Sequence, residues 1–500
     1  MDNTISKKNE RIYILIISAV FIMMMLLSAR FTSPLYPNNY GGDSAIFMLM
    51  GKGMTEGKVL YTDMFDHKGP VLFFIEALGY ILGGRTGIFI LECAVGIVTV
   101  ISLYYTCKLI YAKQNKYSLL SISAVLIFGF AILFYTFSGG NLSEEYSLPF
   151  ITVSLYFMTK YALNAETDSK HPVRYAFFYG IAISAMFLIR LNNAATVCAG
   201  ILVIFIYLIY KKEFKNLFMN LLFGVLGFAV VAIPIIIYFA SKSALYDMIY
   251  ATFIYNFKYT NGTGHASVIG NIKMFAVLYL PLIISFVLFV TNLIKTKFKF
   301  RVIDWILAAS LVINAASLWL ANQYSHYFTV FVPVYMFTIC LYGSFSLKNV
   351  KTYLIGICLL VYMYQSAVFA YASVKAQYID KSVGEKHNTV SSCLSIIPEE
   401  EKNSVIGYNL PAAYYLDGDI LPCHKYYIQQ DWWSKADRSI NSDFIAWLEE
   451  DTPLWVMVSS DKDNMSENID AQEKLTDILE SNYELKSANE YMCLYRVKVG

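Results

Sequence analysis

Charge is scarce in this chain: 15% of its 500 residues are Asp, Glu, Lys or Arg, against 57% that are hydrophobic. A soluble domain carries roughly 25% charged residues, so a water-facing surface is excluded for most of the sequence. Nucleotide-handling signatures are missing as well. There is no Walker loop, no glycine-rich dinucleotide fingerprint and no HExxH pair. Heptads, solenoid repeats and low-complexity tracts are also absent. The eight cysteines fit no metal-binding spacing. Five of them, Cys93, Cys107, Cys198, Cys340 and Cys358, fall in apolar runs, where thiols behave as small hydrophobes. Cys393, Cys423 and Cys493 lie near the carboxyl end, where one disulfide with one thiol left over stays open.

Long apolar runs are what the sequence has in plenty. They cover residues 13–27, 86–109, 119–137, 148–161, 175–189, 194–210, 217–240, 274–293, 303–320, 328–342 and 353–371. A hydrocarbon core of about 30 Å takes roughly 20 helical residues to cross. The expected fold is therefore an α-helical polytopic membrane protein of about eleven spans, with the runs at 148 and 175 the shortest. Lys7, Lys8 and Arg11 precede the first run, and Lys108 and Lys113 follow the second. Lys211, Lys212 and Lys215, then Lys295, Lys297, Lys299 and Arg301, mark alternate loops further on. Basic loops face the cytoplasm, which puts the amino terminus inside and residues 375–500 outside. No small-residue cleavage site follows the first run, so it reads as a retained span.

The net charge of +2 conceals an asymmetry, since residues 375–500 hold 22 acidic and 12 basic residues. The positive remainder serves topology and implies no nucleic-acid partner. The domain division expected is 1–374 in the membrane and 375–500 as a small extracytoplasmic α/β domain. In that tail VIGYNLPAAYYL, PLWVMVSS and MCLYRVKV look like strands, and SDFIAWLEE and AQEKLTDILESN like helices. Two further outer segments, 30–85 and 241–273, are too long to be mere connectors and are where function is to be sought. Within 30–85, DSAIFMLMGKGMTE reads as an amphipathic helix lying in the membrane plane, and KGPVLFFIEALGYIL as a more apolar one. Between them sits the charged stretch YTDMFDHKGP.

Four polar clusters fall at outer ends of spans. They are Asp43 with YTDMFDHKGP, FSGGNLSEEYS at 137–147, LIRLNNA at 188–194, and NQYSHYF at 322–328. Charges pressed against hydrocarbon are costly and tend to mark a substrate path. Each has a plainer reading. Asp43 reads equally as a helix cap, and Lys68 and Arg190 as cations reaching for lipid headgroups. One of Glu144 and Glu145 reads as a solvated loop residue, Asp63 as a turn residue, and His326, between Tyr324 and Tyr327, as part of an aromatic belt. Together on one side, a carboxylate near cations suits transfer of a phosphate-linked group. The carboxylate takes a proton from an attacking hydroxyl, while the cations stabilise the departing phosphate.

At this point the sequence resembles a known superfamily. GGDSAIFMLMGKGMTEGKVLYTDMFDHKGPVLFFIEALGYILGG looks like the first outer loop of the C-type polyprenyl-phosphate-sugar-dependent glycosyltransferases, the superfamily of protein O-mannosyltransferases and lipid A aminoarabinose transferases. LIRLNNA and YSHYFTVFVP are similar to later polar positions in bacterial members. Gly69 stands where many relatives have the first proline of K-P-P. The resemblance implies an inverting sugar transferase in a bacterial plasma membrane, taking its donor from polyprenyl phosphate and passing the sugar to a saccharide or lipid acceptor. It implies Asp43 as the catalytic acidic residue and as the residue for a divalent cation, Mg or Mn, if one is used. It implies Lys68 as the ligand of the lipid phosphate. From the polar clusters themselves, Arg190 and His326 are expected beside that phosphate, and Tyr61, Asp66, His67, Glu144, Asn192 and Tyr324 in the substrate pocket. A flippase or a polymerase of lipid-linked saccharides is the alternative reading. Transporters, however, tend to place charges at mid-membrane and to show inverted repeats.

Overall fold

Backbone placed in hydrocarbon must satisfy its own N–H and C=O groups, so apolar runs of this length become helices. The computed structural model describes residues 6–114, 118–262, 272–320, 324–428, 431–460 and 469–498. Among the described residues nine helices are long and apolar enough to cross a membrane, from Lys7–Ser28 to Val350–Ile379. The chain is an integral membrane protein of polytopic helical architecture. The runs expected at 148–161 and 175–189 are helical too. However, Ser143–Ala162 opens on Glu144 and Glu145, and Val173–Phe187 has only 15 residues.

The chain divides into two compact units. The first takes in residues up to Ala29, then Phe89–Ile235, and then the chain up to Ala372. Its helices differ in how they are used. The Ser325–Tyr342 segment is 83% buried, whereas Phe214–Ser241 is 6% buried and presents its side chains outward. Close helix contacts rest on small residues, as is usual without a hydrophobic driving force between helices. A Cβ on Gly180 would stand 2.0 Å from the Gly224 carbonyl, and one on Gly227 would stand 1.9 Å from that of Phe177.

The second unit comprises Arg30–Ile88, the stretch from Ile236 to about 264, and the chain from Ser373 onward. Helix Asp43–Thr55 packs on helix Pro70–Gly83. Gly51 makes this approach feasible, since a Cβ there would lie 2.6 Å from the Cβ of Glu76. The first helix departs from the expected half-exposed amphipathic one. Every residue from Ser44 to Gly53 is buried, Lys52 included. Lys52 achieves this by donating to Asp419 Oδ1 at 2.5 Å, which offsets the cost of a buried charge.

The tail holds a four-stranded sheet in the order β1-β2-β4-β3, with β1 Val405–Tyr408, β2 Trp455–Ser459, β3 Tyr483–Ala488 and β4 Met492–Val497. The β1–β2 pair is parallel and the other two are antiparallel. Three strands and both helices match expectation in place. β3 was not foreseen, because its alternating Glu484 and Lys486 suit a sheet edge exposed to water. AAYYL, expected as strand, forms the short helix Ala413–Asp417. Cys393, Cys423 and Cys493 are free thiols.

Candidate active site

YTDMFDHKGP forms the polar heart of the second unit. Tyr61 adopts φ 68°, a left-handed conformation uncommon for a bulky side chain and worth reading as stored strain near a functional site. It is held there from three directions. Its N–H donates to the Met64 carbonyl at 2.8 Å, its hydroxyl donates to the Lys68 carbonyl at 2.8 Å, and its ring packs on Phe73 and Phe239. Asp63 accepts the Val59 N–H at 2.7 Å and so closes a turn. Gly69, with φ −75° and ψ 155°, precedes Pro70 at the start of the helix. That φ lies within the range proline itself adopts.

Asp66, His67 and Lys68 follow, and all three are buried. Asp66 Oδ1 accepts the Lys68 backbone N–H at 2.8 Å and lies 4.0 Å from its Nζ. The ammonium donates to His67 Nε2 at 3.1 Å. An ammonium has donors only, so Nε2 is the acceptor and the imidazole is neutral in this arrangement. Lys68 Nζ also lies 5.6 Å from the centre of the Phe47 ring. Asp66 Oδ2 is buried and has no hydrogen-bond partner among the described residues. Burial pushes the Asp66 carboxyl above the ordinary range despite Lys68 beside it, and the nearby charge of Asp43 adds to the rise. Asp43 occupies the first turn of its helix, with Gly42 at the cap position, so it does not serve as the cap.

The tail and the second outer segment hold this stretch in place. The Phe65 N–H donates to the Lys425 carbonyl at 2.9 Å, and the Phe65 ring meets Tyr255, Tyr426 and Trp433 edge-on. Asn256 donates to the His67 carbonyl at 2.8 Å. Tyr427 is fully buried, its hydroxyl unpartnered among the described residues. Burial and the Asp66 charge push its ionisation upward. These partners come from positions about 190 to 370 residues downstream, and sequence spacing gives no hint of them.

The helical unit holds a separate cluster. Glu144 and Glu145 lie in the first turn of helix Ser143–Ala162, and both are buried, so neither is the solvated loop residue expected for one of them. Arg190 donates from Nη1 to Glu144 Oε1, and its guanidinium lies 4.1 Å from the centre of the Tyr327 ring. Asn193 is buried and donates to Ser147 Oγ at 2.8 Å and to the Ser143 carbonyl at 3.1 Å. Asn192, its neighbour, is exposed. His326 is half-buried, 5.6 Å from Tyr324 and 4.6 Å from Tyr327 between ring centres. Tyr324 is 54% exposed. Asn322 and Gln323, from the same motif, lie outside the described residues.

This cluster also contains Glu92, which the sequence reading passed over. Glu92 Oε1 accepts the Asn141 N–H at 2.5 Å, where Ser138, Gly139, Gly140 and Asn141 all have positive φ. Gly140 allows the loop to close on the carboxylate, since a Cβ there would lie 2.9 Å from Glu92 Oε1. Glu145 stands beside Glu92 and the Asn141 backbone. An acidic residue alone within the apolar run GIFILECAV was a legible signal.

The structure thus brings Tyr61, Asp66 and His67 to Lys68, with Asp43 near enough to act on Asp66. It separately brings Glu144 and Tyr327 to Arg190. Among the described residues no three His, Cys, Asp or Glu side chains gather as metal ligands.

With the geometry in place, the fold has clear counterparts. The chain matches ArnT from Cupriavidus metallidurans bound to undecaprenyl phosphate over 97% of both chains, with a TM-score of 0.61 and 10% sequence identity. It matches the apo form of that protein over 98% of each chain, with the same TM-score and identity. The chain shares the fold of that protein. No curated protein matches the sequence. The chain belongs to the family described as putative competence-induced protein Ccs4, N-terminal domain, whose pattern it matches over residues 2–375.

Proposed function

We propose that this protein is an inverting glycosyltransferase that takes a sugar from a polyprenyl phosphate and passes it to a saccharide or lipid acceptor on the outer face of the membrane. The observation that carries the reading is Lys68. Its side chain is 9% exposed, and among the described residues its ammonium has one hydrogen bond, to His67 Nε2. Two of its three N–H donors remain for an oxyanion, in a setting where electrostatic stabilisation is strong. The shared fold with a protein bound to undecaprenyl phosphate supports a lipid phosphate as that oxyanion.

In this reading Asp43 takes the proton from the acceptor hydroxyl. The oxygen then attacks the anomeric carbon from the face opposite the phosphate. The bond between that carbon and the phosphate oxygen breaks, and its electron pair leaves with the polyprenyl phosphate, stabilised by Lys68. Tyr61, Asp66 and His67 are assigned to the pocket around Lys68. Division at 1–374 and 375–500, eleven spans and an outside tail belong to this proposal. A cysteine placed at Ser459 that is shielded from an impermeant thiol reagent in intact cells would overturn that topology.

The test is a comparison of lipid-linked saccharides and surface glycans made with the wild-type chain, with Asp43→Asn and without the gene. One sugar missing from the last two supports the reading and names donor and acceptor. An unchanged product with Asp43→Asn, in protein that still inserts, refutes it. Accumulation of an unmodified precursor on the inner leaflet would indicate a flippase.

A further inference from the structure

The helical unit contains a cavity that the proposed reaction does not use. It lies where the Leu191–Tyr210 span ends and the Val302–Trp319 span begins, and it has a volume of about 570 Å³. Its chemistry is mixed in an ordered way. Val203 and Ile206 line the part alongside the span, with Ile206 56% exposed. One helical turn further on stand Tyr207, Tyr210 and Trp305, and the last two are 75% and 52% exposed. At the rim are two cations contributed by different connections, Lys211 and Arg301.

Both cations are oriented. Arg301 donates from Nε to Asp304 Oδ2 at 3.1 Å and from Nη2 to Oδ1 at 3.0 Å, and Asp304 is itself buried and bonded to the Tyr342 hydroxyl. The guanidinium is thereby held on one edge while its side chain stays 47% exposed. Lys211 Nζ lies 5.5 Å and 5.7 Å from the ring centres of Tyr207 and Tyr210. Lys212, Lys295, Lys297 and Lys299, on the same two connections, are exposed and raise the local positive potential.

We propose that this groove binds an anionic phospholipid of the adjacent leaflet. The phosphate sits between Lys211 and Arg301, the aromatic side chains mark headgroup depth, and an acyl chain runs along Val203 and Ile206. Apolar wall, aromatic level and paired cations occur in the order in which a lipid presents its parts. Glu166 also lines the cavity. As an acceptor it favours a headgroup with hydroxyls to donate, such as phosphatidylglycerol, over one that ends in bare negative charge.

The test uses the purified full chain in phosphatidylcholine nanodiscs, with thermal unfolding and native mass spectrometry as readouts. Phosphatidylglycerol should be retained and should raise the unfolding midpoint by several degrees. Lys211→Glu should weaken that retention roughly five- to tenfold, on the order of one basic residue's attraction to anionic lipid. Ile206→Trp, which fills the acyl wall, should do the same without changing charge, and Lys242→Glu should have no effect. Equal stabilisation by added phosphatidylcholine, an equal shift from inorganic phosphate alone, or full retention by Lys211→Glu overturns the proposal.

Discussion

Lys68 and Arg190 are both cations beside buried carboxylates, yet they are held in different ways. Arg190 points a guanidinium N–H directly at Glu144 and stacks over Tyr327, an arrangement that satisfies the pair within the protein. Lys68 stands 4.0 Å from Asp66, beyond hydrogen-bonding range, with a neutral imidazole as its hydrogen-bond partner. A buried ion pair that is complete contributes chiefly to order and is costly to break. A buried ammonium left incomplete is poised for a ligand. Mutation should therefore cost activity at Lys68 and stability at Arg190.

The largest effect should fall on Asp43 and Lys68. Asp43→Asn should lower sugar transfer in proteoliposomes by roughly 10²–10⁴-fold, the usual contribution of a general base. Lys68→Ala should lower it by about 10²–10³-fold, while Lys58→Ala should leave it within twofold. Equal losses for both lysines would leave Lys68 no specific role in transfer. Next comes Glu144→Gln, which strands the Arg190 charge. Unfolding should become easier by roughly 3–5 kcal/mol, measured by thermal melting in detergent. If melting is unchanged while transfer is lost, the contrast between the clusters fails and Arg190 belongs with Lys68.

A smaller effect is expected with pH. Burial alone would raise the Asp437 carboxyl, but hydrogen bonds from Lys258 and Tyr250 hold it down at about 2. A depressed carboxyl contributes stability above its unfolded value, about 3.9, and loses it as pH falls through the folded one. Melting of the wild type should therefore decline between about pH 4 and pH 2 more steeply than that of Asp437→Asn. The smallest effect should come from Gly69→Pro. Its φ of −75° already suits proline, so the variant should fold and transfer sugar as the wild type does, with stability unchanged or slightly raised.

The spans were legible because hydrocarbon tolerates few alternatives to the helix. Asp43, Asp66, His67 and Lys68 were legible because charge stood out in an apolar chain. The amphipathic reading of Asp43–Thr55 failed because its apolar positions wrap round the helix, and Lys52 is accommodated by Asp419, 367 residues away. The choice between Asn192 and Asn193 turns on a short 3-10 segment, Leu191–Ala194, in which neighbouring residues point about 120° apart, and no motif reports that. Tyr427 was out of reach because loop packing has no period, and Trp433 because the helix that carries it, Asp431–Ala436, is too short to show one. Glu92 was within reach and was missed.

Arg85 has a consequence for how the chain is made. Its guanidinium donates to the carbonyls of Phe31 at 2.7 Å and Tyr36 at 2.6 Å, and reaches that of Arg30 at 3.2 Å. Those carbonyls leave the ribosome up to 55 residues before the side chain that gathers them. The first outer segment therefore cannot close during synthesis until the second span has begun to emerge. A nascent chain stalled before residue 85 should expose the 30–39 segment to protease, and the completed chain, in which Gln377 and Tyr378 also donate to the Pro37 and Leu35 carbonyls, should protect it.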